Sequence, residues 1–298
     1  MKRYAICAVA LLCATILPAV GQGEGGEFSF DGIQALEIDA RTFAVEIQGT
    51  PGRRATMTIE NLPDHHAVRH SISGSRVRIW VEQEATLFSR PHRGRLVFRV
   101  PRETELTVGT SAGTVRISDI SASTLRVETS TGRIELEEIR SDVRARSNTG
   151  TIDVRRSGGR FDIGSTTGSI TFRGIDGDIT ASGSTGRQSY TDVRGDIDAR
   201  STTGRIELDD TIGRVRLQTS TGGQTGKAVT LTGNSSFRAS TGSIEIDLTN
   251  SLDELEFDLT SSTGSLQVGR ERSQRRLFFG GTGISITGST STGSQHFF

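Results

Sequence analysis

Side chains suited to chemistry are few in this chain, and they are scattered. His65, His66 and His70 stand with Asp64 in NLPDHHAVRH, where imidazoles and a carboxylate crowd together. A zinc site needs three or four such ligands converging at fixed distances, with partners behind them to orient each ring. Adjacent histidines in a Pro-Asp turn read instead as a solvated loop. His92 and His296 stand alone, and no serine sits in the glycine-flanked elbow of a hydrolase nucleophile. Arg194-Gly195-Asp196 spells the integrin tripeptide, but its glycine belongs to a longer regularity. No catalytic or cofactor-binding residue is assigned, and no cofactor is expected.

The two cysteines, Cys7 and Cys13, fall in MKRYAICAVALLCATILPAVG, with basic Lys2 and Arg3, an apolar run from Ala5 to Leu17, and small residues before Gln22. That is the pattern of a secretory leader, expected over 1–21, and not of a membrane span. Leu11 and Leu12 before Cys13 are wrong for lipoprotein processing. Both cysteines leave with the leader, so export is expected, to periplasm, cell surface or medium, with packing and backbone hydrogen bonds alone holding the fold. No later run is long enough to cross a bilayer as a helix. Basic and acidic residues number 35 each. Charge so balanced and interspersed gives no footprint for nucleic acid.

The elements that must position any site follow from the glycines. Gly150, Gly159, Gly168, Gly177, Gly186, Gly195, Gly204, Gly213 and Gly222 stand nine residues apart, and every second one follows a threonine. The true period is therefore eighteen. Apolar residues fall two and four places after each glycine, as at Ile152 and Val154 or Phe161 and Ile163, with polar residues between. This is strand alternation. Five-residue strands cannot bury an apolar face alone, but stacked coils can. The expected fold is all-β: a β-solenoid of 18-residue coils, two short strands and two turns each, behind a strand-rich N-terminal capping section. Thr before Gly would form a column whose hydroxyls satisfy turn amides, with Ser147, Ser165 and Ser201 lining the narrow corner inside. The sections are 28–108, rich in strands; 109–250, the regular coils; and 251–298, longer coils and a cap in which Phe297 and Phe298 close the far end.

Competing repeats fit less well. An antiparallel sandwich does not demand a fixed eighteen-residue identity, the hexapeptide helix fails at Arg140 and Arg146, and the GGxGxD turns of calcium-binding rolls are absent.

RLVFRVP, then ELTVGTSAGTVRI, TSTGRIELEEI and its repeats, and finally FFGGTGISI, occur in an order that resembles the bacterial putative-adhesin domain of β-strand-repeat proteins, a family named as a domain of unknown function. The resemblance covers residues 30 to 298. Its motifs are structural, so it implies this fold and export, with no catalytic residue.

An exported, non-enzymatic cell-envelope protein is the expected function, with an adhesin-like or scaffolding surface that binds weakly at many points. The partner would be an envelope or host polymer or protein. Arg133, Arg187 and Arg205, on exposed rows, are the expected contacts for an acidic polymer. The alternative is a secreted carbohydrate-active β-helix enzyme, but corners from Gly132 to Gly222 admit no insertion to wall a cleft. Metal ligands are not assigned; Asp176, Asp178 and Asp196 are the weak candidates. Asp178 and Asp196 would be like-charged neighbours at the ~4.8 Å strand spacing, relieved by Arg194 and water or by calcium.

Overall fold

A computed structural model of the protein describes residues 27–63, 66–83, 94–281 and 283–298. The expected leader, Asp64, His65 and His92 lie outside them. The described chain is all-β, wound between a 15-stranded and a 14-stranded sheet that do not close into a barrel. In one coil the strand Ile170–Asp176 belongs to the first sheet and Ile179–Thr185 to the second. Eighteen residues later Gln188–Arg194 and Ile197–Thr203 lie parallel beside them, with Ile170 against Gln188 and Thr185 against Thr203.

Glycine is obligatory at the corners for two reasons. Gly168 has φ +143°, and a Cβ there would lie 1.9 Å from the Gly150 carbonyl oxygen of the preceding coil. Glycines thus stack on one another without room for a side chain. The corner amides are not satisfied by threonine hydroxyls: Gly168 N–H donates to the Thr185 carbonyl of the next coil at 2.9 Å, and Gly150 N–H to Thr167 O at 2.8 Å. The backbone ladder simply continues around the corner. Some inward hydroxyls meet the corner carbonyls, as where Thr219 Oγ1 donates to Gly222 O at 3.1 Å, while those of Ser147 and Ser201 find no hydrogen-bond partner among the described residues.

The interior is filled by the residues two and four places after each glycine. Phe172 stacks on Tyr190 at 5.3 Å, and Phe161 meets Phe172 edge-on at 6.1 Å. Where the column that runs through Ile152 and Ile170 changes to glutamine, the amide still has work inside. Gln188 donates across the coil to Arg200 O at 2.7 Å and accepts the Tyr190 hydroxyl at 2.8 Å. Gln224 reaches Arg238 O, and Gln295 reaches Thr260 O, each at 2.7 Å. Burial pushes the Tyr190 phenol above its ordinary pKa because the phenolate has no solvent there.

A third bend, absent from the sequence reading, divides five strands of the 15-stranded sheet, from Ile152–Gly158 to Gln224–Leu231, and follows the strand Ile134–Glu137 before them. Glu138, Arg156, Gly174, Asp192, Asp210 and Ala228, eighteen residues apart, all have φ between 46° and 65°. The pairing steps over them, from Arg155 with Arg173 to Ser157 with Ile175. The stacked bulges shift alternation by one residue, which turns Ser157, Ile175, Val193 and Thr211 inward.

Parallel coiling begins before the regular repeat, with Ala35–Asp39 and Ala44–Thr50. Both ends are closed by antiparallel strands. His66–Ser73 covers Arg76–Gln83 at one end, and Arg276–Gly280 covers Leu255–Thr263 at the other. The chain terminus does not form the far cap. Its last coil, Ile284–Thr292 and Gln295–Phe297, inserts between the coil of Ser235–Thr241 and that of Leu255–Thr263. Phe297 is accordingly buried against Phe237 and Phe257, and only Phe298 stays half exposed.

Candidate functional site

Ligand-facing positions in this architecture are the outward columns, where one residue per coil repeats at the ~4.8 Å strand spacing. Arg133, Arg187 and Arg205 follow the corner glycines, exposed on the 15-stranded sheet. Arg187 and Arg205 are brought together in adjacent coils, and Arg133 lies three coils away. All three already face glutamates: Arg133 pairs with Glu135 at 3.4 Å, and Arg187 and Arg205 share Glu207 at 3.5 and 3.6 Å. Such exposed pairs contribute about 0–1 kcal/mol each and remain open to exchange.

The aspartates do not converge. Asp178 Oδ1 accepts the Asp196 backbone N–H at 3.0 Å. Asp196 in turn accepts the Arg214 backbone N–H at 3.0 Å and holds the Arg214 guanidinium at 2.6 Å. Each carboxylate is drawn toward the next coil's backbone, and Arg214, not Arg194, neutralises the pair. Arg194 binds Asp192 at 2.8 Å. Among the described residues no group of three or more His, Cys, Asp or Glu side chains is arranged to hold a metal.

His66 and His70 are not in a solvated loop. Both lie on the end strand His66–Ser73 and turn toward the core, His66 against Phe43 at 5.6 Å and His70 against Phe28 and Phe30 at 6.0 and 5.5 Å. They help to roof the end of the stack. The single tryptophan, Trp80, is half-buried beside them, and its indole N–H donates to Glu82 at 3.0 Å. That bond and Arg69 hold the Glu82 carboxyl below its ordinary pKa.

Two hollows lie on the outer face of the 14-stranded sheet, and sequence reasoning found neither. One is a polar trough of about 430 Å³ bordered by Arg146, Gly164, Ser182, Arg200 and Gln218, one residue from each of five coils. Gly164 creates part of it: the Arg146 side chain lies flat over the space a Cβ would take, 3.0 Å from its Cδ, and pairs with Asp162 at 2.6 Å. Beside it runs a column of Asn148, Thr166, Ser184, Thr202 and Ser220, all exposed. The other hollow, about 310 Å³, is lined by Thr107, Thr124, Arg126, Asp142, Arg144 and Arg160 among others. Both are open to solvent on a nearly flat sheet, so neither excludes water from a reacting bond.

The Toastrack domain, DUF4097, matches residues 33–293. The chain belongs to the Toastrack family. That match spans the coils and both hollows, and the glycine corners and stacked strands described above are those of a β-solenoid-like Toastrack fold. Solved structures with some likeness include a "putative adhesin" from Bacteroides fragilis, at 10% identity and a TM-score of 0.39, covering 92% of this chain and 97% of that one. Another is a "putative cell adhesion protein" from Clostridium sporogenes, at 7% identity and a TM-score of 0.24, covering 92% and 99%. No curated protein matches the chain. Among the described residues no helix is long and apolar enough to cross a membrane.

Proposed function

We propose that this Toastrack protein is an exported, non-enzymatic component of the cell envelope whose outer faces hold a polymer along several coils. The observation that carries the reading is the hydroxyl-rich edge beside the trough. Thr149, Thr167, Thr185, Thr203 and Thr221 lie next to the exposed column of Asn148, Thr166, Ser184, Thr202 and Ser220, giving two polar residues per coil over five coils. Each contact is weak and equivalent to its neighbour. Attachment gains strength because each contact made raises the effective concentration of the next. Arginines and carboxylates on the same faces add a salt-sensitive part.

The test is binding of the purified protein to isolated cell envelopes, with the parent compared to variants lacking one, two and three coils between Gly150 and Gly222. Affinity falls stepwise with each coil removed and falls again as salt is raised. Equal binding by all four proteins overturns the reading, and so does sustained polysaccharide cleavage that copurifies with the protein.

A further inference from the structure

We infer that the outer face of the 14-stranded sheet binds an acidic polysaccharide, with its anionic group held by Arg126, Arg144 and Arg160 and its hydroxyls laid along the adjoining trough. The inference rests on the polymer-holding reading above and names the ligand class and the anchor. Arg126 and Arg144 are direct neighbours in register on adjacent strands, an arrangement of like charges that is unfavourable unless something negative lies between them. Among the described residues neither Arg126 nor Arg160 forms an ion pair. Arg144 reaches Asp162 only at 3.6 Å, while Asp162 is held by Arg146 at 2.6 Å from outside the hollow. With Asp162 so occupied, three guanidiniums face one remaining carboxylate in the hollow, Asp142. The local charge is positive in a chain whose overall charge is balanced.

The hollow's other groups fit the same ligand. Thr107 and Thr124 border it and offer hydroxyls beside the guanidiniums, whose planar forks bind carboxylate or sulfate through paired, charge-assisted hydrogen bonds. Arg144 and Arg146 are two residues apart on the strand Asp142–Thr149, so they face the same way, and they border the two hollows respectively. A ligand entering at the arginines therefore continues into the trough of Ser182, Thr166, Ser184 and Thr202, which extends over four coil steps, about 19 Å. Neutral hydroxyls alternating with anionic groups are the chemistry of an acidic polysaccharide. A nucleic acid, charged at every unit, needs a basic stripe along the whole path, and the trough holds only Arg146 and Arg200, the latter paired with Asp198 at 3.1 Å.

The experiment measures binding of the purified protein to polygalacturonate, dextran sulfate, neutral dextran and single-stranded DNA. The parent binds at least one of the two acidic polysaccharides about tenfold more tightly than dextran, and the two acidic probes separate carboxylate from sulfate. The double variant Arg126→Gln/Arg160→Gln loses about tenfold, the scale of one or two charge-assisted hydrogen bonds. Arg187→Gln/Arg205→Gln stays within about twofold, since those arginines are elsewhere and already paired. Asp142→Asn tightens binding severalfold by removing the opposing charge, a gain that misfolding cannot mimic. Parent-like binding by the Arg126/Arg160 variant, tighter binding of DNA than of either polysaccharide, or no acidic binding by the parent overturns the inference. None of these outcomes touches the polymer-holding reading, which falls if envelope binding is indifferent to coil deletion or if polysaccharide cleavage copurifies with the protein.

Discussion

Gly168→Ala tests why the corners are glycine. The residue sits at φ +143°, in a region that only glycine occupies freely, and the added methyl would lie 1.9 Å from Gly150 O. Backbone strain in such a region costs about 1–3 kcal/mol. Clearing the overlap needs the coils to part locally, which costs about 1–3 kcal/mol more by the standard of overpacked interiors. The sum, about 4 kcal/mol, is a large fraction of the ~5–15 kcal/mol that holds a typical domain. Gly109→Ala is the control: its φ is not in the left-handed region and its new Cβ meets nothing closer than Ile38 O at 3.7 Å. There the change is neutral or stabilises by up to about 1 kcal/mol through the unfolded chain. The assay is the urea midpoint, with the slope checked for each variant. Equal midpoints for Gly168→Ala and Gly109→Ala would refute the stacking argument.

Three further outcomes follow from particular residues. Gln188→Ile restores the aliphatic residue of its column, yet it destabilises by about 3 kcal/mol, because Arg200 O and the Tyr190 hydroxyl lose their buried partner; a raised melting temperature would contradict this. Ala228→Gly stabilises by about 0.5–1 kcal/mol, since φ 51° costs alanine ~1–2 kcal/mol and the added chain entropy offsets about half; a lowered urea midpoint would count against a true left-handed bend. Because folding raises the Tyr190 phenol pKa, its contribution is complete below the ordinary value near ~10 and is lost as pH rises above it. Phenolate absorbance should therefore appear only together with loss of the β circular dichroism signal, whereas phenolate in a folded chain would show that the ring is not sealed.

The sequence reveals this fold wherever the backbone leaves one residue type. Corner glycines repeat because no other residue fits under the neighbouring carbonyl, so their period could be read directly. The third bend escaped because a left-handed φ with free space around it accepts Glu138, Arg156, Asp192, Asp210 or Ala228, so no single residue type marks it. Insertion of the last coil was hidden for another reason: strand order in space has no local signature, and Phe297 reads alike at a cap or in a core. Gln188, Gln224 and Gln295 look polar and are buried, since their role depends on a carbonyl in another strand. The surface anchors were the least legible. Arg133, Arg187 and Arg205 stand out by exposure, but the state of a guanidinium depends on which carboxylates reach it across the coils, and that Arg126 and Arg160 form no ion pair among the described residues has no sign in the sequence.

Whether eighteen residues are the unit of this molecule is tested most directly by two deletions compared in one melting experiment. Removing Gly168 to Thr185 joins Thr167 to Gly186, so Phe161–Thr167 stacks on Ile197–Thr203 and Ile152–Gly158 on Gln188–Arg194 in the original register. Removing only Gly168 to Asp176 joins Thr167 to Gly177 and sends every later strand to the wrong sheet, with its bends out of line. The first protein is expected to melt cooperatively as a β-structure close to the parent, and the second to be unfolded or aggregated. Two deletions of equal stability would contradict the eighteen-residue coil.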